Sequence, residues 1–322
     1  MFTLRFDLRS GPQGASHADL YAAALDMCAW GEQHGAVGTV LSEHHGSADG
    51  YLPAPTVFAA AIAARTTQLR ILLAAIVLPL HDPVRLAEEL AVLDNLSTGR
   101  VAVVLAVGHR AEEYEHFGID HGMRGRIADA HLELLRDLLR GEVVEHEGRR
   151  IQVTPAPLTP GGPTLMVGGA SAPAVRRAAR FGLGFVGQAA PPGLAEVHAE
   201  ACRAHGRDPG PILLPDPADP TTIFVADDVD AAWDELGPYL LYDAQAAAAW
   251  RPGDQVVASI SRAQSVGELR AAPGPYRIFT PEQVRAHQAS GKGVGLHPLC
   301  AGLPPDIAWA YLRRAATALA HP

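Results

Sequence analysis

In the run Val40-Leu41-Ser42-Glu43-His44-His45, an apolar segment ends in one carboxylate and two imidazoles. Imidazole exchanges a proton near neutral pH, so the trio suits general acid/base work, with His44 as the proton carrier and His45 or Glu43 fixing its tautomer and orientation. A solvated loop is the plain alternative in a chain with 15 histidines. A second stretch, Leu165-Met166-Val167-Gly168-Gly169-Ala170-Ser171, passes through two glycines into a helical pattern that begins near Ala172. Missing side chains, first-turn N–H groups and the Ser171 hydroxyl are what a phosphate cradle needs. A tight strand-to-helix turn would ask for the glycines alone. Metal chemistry is the weaker option and no metal is expected: there is neither a His-Glu-x-x-His helix nor a Cys-x-x-Cys pair. Cys28, Cys202 and Cys300 are far apart and odd in number, which fits reduced thiols.

Other patterns lose their appeal in context. Gly182-Leu183-Gly184-Phe185-Val186-Gly187 spells a dinucleotide fingerprint, but a helix precedes it and a strand runs through it, the reverse of the required order. Nucleophile-elbow and Walker-type sequences are absent, so hydrolase and phosphoryl-transfer readings lack their usual support. Arg149-Arg150 and Arg176-Arg177 read as solvated charge, although the second pair could approach a phosphate held by the preceding turn.

These residues need elements to position them. Short β-rich runs alternate with longer Ala- and Leu-rich amphipathic stretches to the end of the chain, the rhythm of parallel βα units. Strands are expected at 3–8, 37–42, 70–78, 101–107, 164–168, 183–187, somewhere in 211–226, and 294–299. Helices are expected at 15–34, 55–66, 83–96, 126–140, 172–181, 194–205, 229–250 and 304–319. Several helices start with Pro in the first turn, and Gly35 and Gly99 follow helices as C-terminal caps. Eight βα units predict an α/β fold, a (β/α)8 TIM barrel, as a single domain over 1–322. Insertions interrupt it at 142–163, where a hairpin turns at Glu147-Gly148, at 209–220, and at 252–280, which holds no clear element and reads as a long loop. In such a barrel Glu43-His44-His45 follows a strand at the end where active sites form.

The 322 residues are 48% hydrophobic and 19% charged, enough apolar material for a large core. A formal charge of −9 gives no general attraction to nucleic acid or anionic lipid, so any bound phosphate needs a local electropositive turn, for which Gly168–Ser171 is the candidate. Arg5, Asp7 and Arg9 interrupt the stretch a signal peptide would use, and the apolar run 71–80 is broken by Pro79 and too short for a membrane span. A soluble, cytoplasmic protein is expected.

The chain resembles the bacterial luciferase-like flavin-dependent oxidoreductases. The residues that carry this, in order and spacing, are Glu43-His44-His45, Leu72 to Pro79, Pro83 to Glu89 and Leu93 to Arg100. Gly108, Glu112-Glu113-Tyr114 and Phe117-Gly118 continue the match, and Val167 to Ser171 with Arg177-Ala178-Ala179 carries it to about residue 180. The resemblance implies a luciferase-like barrel that holds FMN at the carboxyl ends of its strands and works as a dimer, here a homodimer. It implies that reduced FMN, supplied by a separate reductase, reacts with O2 to a flavin hydroperoxide that oxygenates a small organic substrate. His44 matches the histidine beside the flavin, with His45 and Glu43 as its companions. Ala74 and Ala75 match a strand end with a non-prolyl cis peptide against the flavin ring; Gly108, Gly168, Gly169, Ala170 and Ser171 complete the implied cofactor site. Where luciferase has a reactive cysteine and then a phosphate-contacting arginine, this chain has Ala106 and Val107; Arg110, Arg176 or Arg177 could supply the cation. Two other readings remain: an F420-dependent hydride-transfer enzyme of the same fold, and a flavin-binding protein without catalysis.

Overall fold

The structure is a computed structural model that describes residues 1–251 and 257–320. In chain order the elements are β1 (Phe2–Phe6), α1 (His17–Glu32), β2 (Ala36–Leu41), α2 (Pro55–Arg65), β3 (Arg70–Val77), α3 (Pro83–Ser97) and β4 (Val101–Ala106). There follow α4 (Ala111–His116), α5 (Arg124–Leu139), β5 (Val144–His146), β6 (Arg149–Ile151), β7 (Thr164–Gly169), α6 (Ala172–Phe181), β8 (Gly184–Gly187) and α7 (Leu194–Ala204). The last third holds β9 (Ile212–Leu213), β10 (Thr222–Val225), α8 (Val229–Ala249), α9 (Val266–Ala271), β11 (Tyr276–Phe279), α10 (Pro281–Ala289), β12 (Gly295–Leu296) and α11 (Pro305–Ala320).

Two compact units emerge: residues 1–40, 47–52 and 215–322 form one, and residues 41–46 and 53–214 the other. In the first, strands lie in the order β11-β10-β12-β1-β2, and β10 pairs in parallel with both β11 and β12. All four β10 residues are buried, the pattern of a parallel strand covered on both faces. In the second unit the order is β3-β4-β7-β8-β9, again with parallel pairs. The local chemistry is what the sequence dictates. Asp82 caps α3 by accepting from the N–H groups of Val84 and Arg85, both at 2.9 Å, with Pro83 in the first turn where no donor is needed. The β5–β6 hairpin turns at Glu147 and Gly148, both in the left-handed region with φ of 49° and 73°.

Two expectations need correcting. The region 211–226 holds two strands, β9 and β10, separated by the Pro- and Asp-rich stretch that hid them. The expected loop 252–280 is also structured: its residues 252–256 lie outside the described residues, but the remainder contains α9 and β11. Strand β11 is only four residues long and follows Pro273-Gly274-Pro275, so its alternation of buried Tyr276 and Ile278 with half-buried neighbours was too brief to stand out. Among the described residues, no helix is long and apolar enough to cross a membrane.

Candidate functional site

In the second unit the segment after β2 brings two buried carboxylates together with three imidazoles. Glu43 is 2% exposed. Its Oε1 receives His45 Nε2 at 2.6 Å and His81 Nε2 at 2.9 Å, while Oε2 accepts the N–H of Val77, the last residue of β3, at 3.0 Å. Burial pushes the Glu43 carboxyl up, but the hydrogen bonds from His45 and His81 outweigh it and bring it down to about 2. The His81 imidazole is pushed down by burial and raised, on balance, by its bond to Glu43.

Glu113 is the second carboxylate. It stands in the first turn of α4, and its Oε1 meets His44 Nδ1 at 2.8 Å, the His45 N–H at 3.0 Å and Arg110 Nη1 at 3.2 Å. Burial raises its carboxyl, and the hydrogen bond and charge of His44, the His45 N–H and Arg110 together bring it below its ordinary value. An ionised carboxylate only accepts, so His44 donates to it through Nδ1–H. Arg110 also donates to the His45 carbonyl oxygen at 3.1 Å, tying α4 to the segment after β2. Beneath this lies an apolar cluster of Val77, Leu80 and Tyr114 with Ile119 against it, and the Tyr114 hydroxyl donates to the Val107 carbonyl.

The three acid/base candidates are thus together, but the expected division of labour is corrected. His44 is oriented by Glu113, and Glu43 instead serves His45 and His81. Sequence reasoning gave Glu113 and His81 no role. Glu113 lies 70 positions beyond Glu43, on a six-residue helix whose pattern is too short to read. His81 sits between the end of β3 and the cap of α3; the one available signal was its place just past a strand end.

The residues expected to face a cofactor are small where they must be. The Ala74–Ala75 peptide is cis. The pairing of β3 with β4 shifts register between Ala74 and Ile76, so Ala75 is an extra residue and both alanines are half-buried in succession. Gly108 has φ of 65°, and a Cβ there would stand 2.7 Å from Val77 Cγ1. A Cβ on Gly168 would stand 2.7 Å from Val104 Cγ1, and one on Gly169 2.8 Å from the Cβ of Ala174. Ala170 is half-buried, and Ser171 is the exposed N-cap of α6, its hydroxyl making no bond to the first turn. Fewer N–H groups are offered there than expected, because Pro173 has none and the Ala174 N–H is taken by the Ser171 carbonyl at 3.0 Å. Those of Ser171 and Ala172 are the turn's candidate donors. Of the three arginines considered as phosphate partners, Arg177 is held by Asp129 at 2.5 Å and Gly125 at 3.0 Å, Arg110 belongs to the Glu113 cluster, and Arg176 is exposed on α6.

A sequence profile described as luciferase-like monooxygenase matches residues 3–293. The alkanal monooxygenase alpha chain of Photorhabdus luminescens is 31% identical over 151 residues, 45% of this chain and 42% of that one. Limonene 1,2-monooxygenase of Rhodococcus erythropolis is 34% identical over 104 residues, 32% of this chain and 27% of that one. The chain spans about two fifths of the length of the first curated relatives it matches. Among solved structures, monooxygenase RslO1 from Streptomyces bottropensis superposes with a TM-score of 0.77 at 24% identity over 99% of both chains. The FMN complex of the oxygenating constituent of 3,6-diketocamphane monooxygenase from Pseudomonas putida gives 0.71 at 19% identity, over 99% of this chain and 97% of that one. At these identities the likeness is one of fold, a mostly parallel sheet with helices. With that α/β fold and a profile match over most of its length, the chain belongs to the luciferase-like monooxygenase family.

Proposed function

We propose that this protein is an FMN-dependent monooxygenase that oxygenates a small organic substrate with O2, as a single (β/α)8 barrel domain. Reduced FMN, when bound, would supply the two electrons by which one oxygen atom enters the product and the other leaves as water. The observation that carries the reading is the Glu113–His44 pair. With Nδ1–H fixed on a buried carboxylate, His44 takes a proton at Nε2 and gives it back, while its charged form faces Glu113. His45 and His81, both on Glu43, hold the neighbouring backbone in place.

The residues fit the cofactor. Ala74 and Ala75 are small enough to leave backbone accessible to a flat ring, Gly108 keeps the turn after β4 tight against Val77 beside them, and Gly168, Gly169, Ala170 and Ser171 form a turn without bulk whose hydroxyl and N–H groups suit the FMN phosphate. A separate reductase as the source of reduced flavin, a homodimer and a cytoplasmic setting complete the proposal. The last is supported by three free, buried cysteines, which suit a reducing compartment. Binding measurements with oxidised FMN, reduced FMN and F420 test it: reduced FMN should bind tightest. Selective binding of F420 would replace oxygenation with hydride transfer, and tight binding of oxidised FMN without oxygen-dependent product would remove catalysis altogether.

A further inference from the structure

The first unit holds a buried set of side chains that this chemistry does not use. We propose that Asp243, His297 and Cys300 bind one divalent metal ion of zinc type. A carboxylate oxygen, an imidazole nitrogen and a sulfur from these buried residues all lie within 4.8 Å of one another. Donors on a tetrahedral ion with bonds of about 2.0–2.3 Å stand roughly 3.3–3.8 Å apart, so binding draws the set together by up to about 1 Å. Asp243 comes from α8 and the other two from the segment after β12, where His297 and Cys300 are three positions apart; only the fold adds Asp243 to them.

His297 is the independent pointer. It is 0% exposed; its Nε2 lies 3.3 Å from Asp7 Oδ1 as an ion pair, and its Nδ1 makes no hydrogen bond. With Nε2–H directed at Asp7, the other ring nitrogen holds a buried lone pair with no donor to meet it, which calls for an electron-pair acceptor, while Asp7 orients the ring as a carboxylate behind a metal-bound imidazole does. Asp243 is already oriented as a ligand would be: Tyr276 donates to its Oδ2 at 2.7 Å and Arg9 Nη1 stands 3.4 Å from its Oδ1. Its remaining lone pairs can accept a metal, with these partners steering the carboxylate.

The mixed oxygen, nitrogen and sulfur set favours zinc over the oxygen-seeking magnesium and calcium.

The test does not depend on flavin. The full chain is produced in minimal medium containing Zn2+ or Co2+, so that the ion is present as the interior closes, and metal per chain and the near-ultraviolet spectrum of the cobalt form are measured. The expected result is about one ion per chain, with a thiolate-to-cobalt absorption band that survives Cys28→Ser and disappears in Cys300→Ser. Should Cys300→Ser fail to fold, the wild type and His297→Gln decide the matter, the latter being expected to lose the ion. A wild-type chain with no retained ion, cobalt bound without a thiolate band, or a band removed by Cys28→Ser would each overturn the proposal.

Discussion

The two units each bury a charged network, and they balance it differently. In the first, Arg9 lies 1% exposed between Asp49 at 3.3 Å and Asp243 at 3.4 Å, over the rings of Tyr51 and Trp250 at 5.0 and 4.6 Å. Its cations are mainly guanidiniums, which do not release a proton at any physiological pH, with the imidazole of His297 3.3 Å from Asp7. In the second, Glu43 and Glu113 are met mainly by imidazoles, whose protons exchange near neutrality. An arginine-balanced interior is suited to holding shape, and a histidine-balanced one to handling protons. The backbone follows the same division. Leu8 has φ of 57°, which breaks the alternation after β1 and lets Asp7, Leu8 and Arg9 all turn inward, whereas the segment after β2 keeps His44 and His45 half-buried.

The largest break in this comparison should come from Arg9→Met. It strands two buried carboxylates, and urea unfolding should show a loss of roughly 3–5 kcal/mol. A loss below about 1 kcal/mol would mean the first network is not structural. Next is Glu43→Gln. The Glu43 carboxyl is lowered from 4.5 to about 2, so its contribution is present above 4.5 and fades as pH falls through about 2. That lowering corresponds to about 3 kcal/mol near neutral pH as an order of magnitude. Unfolding curves of wild type and variant should therefore converge in acid. Glu113→Gln sharpens the second network's role: kcat should fall by about tenfold or more, beyond the loss of stability that removing a buried, lowered carboxylate entails, because the amide no longer compels Nδ1–H donation by His44. An altered pH profile of kcat would distinguish this from a merely structural change. Smallest is His81→Gln. Its raised imidazole contributes fully below 6.5 and loses that contribution as pH rises through the raised value, so the variant should lack the wild type's alkaline loss, an effect of about 1 kcal/mol or less.

Much of the fold was legible because it is repetitive: α2, α3, α6 and α8 carry Pro, Gly or Asp punctuation at their ends, and β3 and β4 are unbroken apolar runs. What escaped was short. Strands β9 and β11 span two and four residues amid proline, too few for a period to register. At the site, Glu43, His44 and His45 were visible because they are consecutive and follow a strand. Their partners were not, since Glu113 and His81 reach them only through the packing of α4 and the end of β3. The first unit's network was equally hidden: Asp7, Asp49, Asp243 and His297 are scattered along the chain, and no periodicity brings them together.

The central claim is that His44, held through Nδ1 by Glu113, moves the proton in flavin-dependent oxygenation. Stopped-flow oxidation of reduced FMN, followed with wild type and His44→Ala at several pH values, tests it most directly. The account predicts that His44→Ala, folded and still binding reduced FMN, alters the oxidation time course and lowers turnover by about 10²–10⁴-fold. Identical time courses and turnover in the two proteins would contradict it.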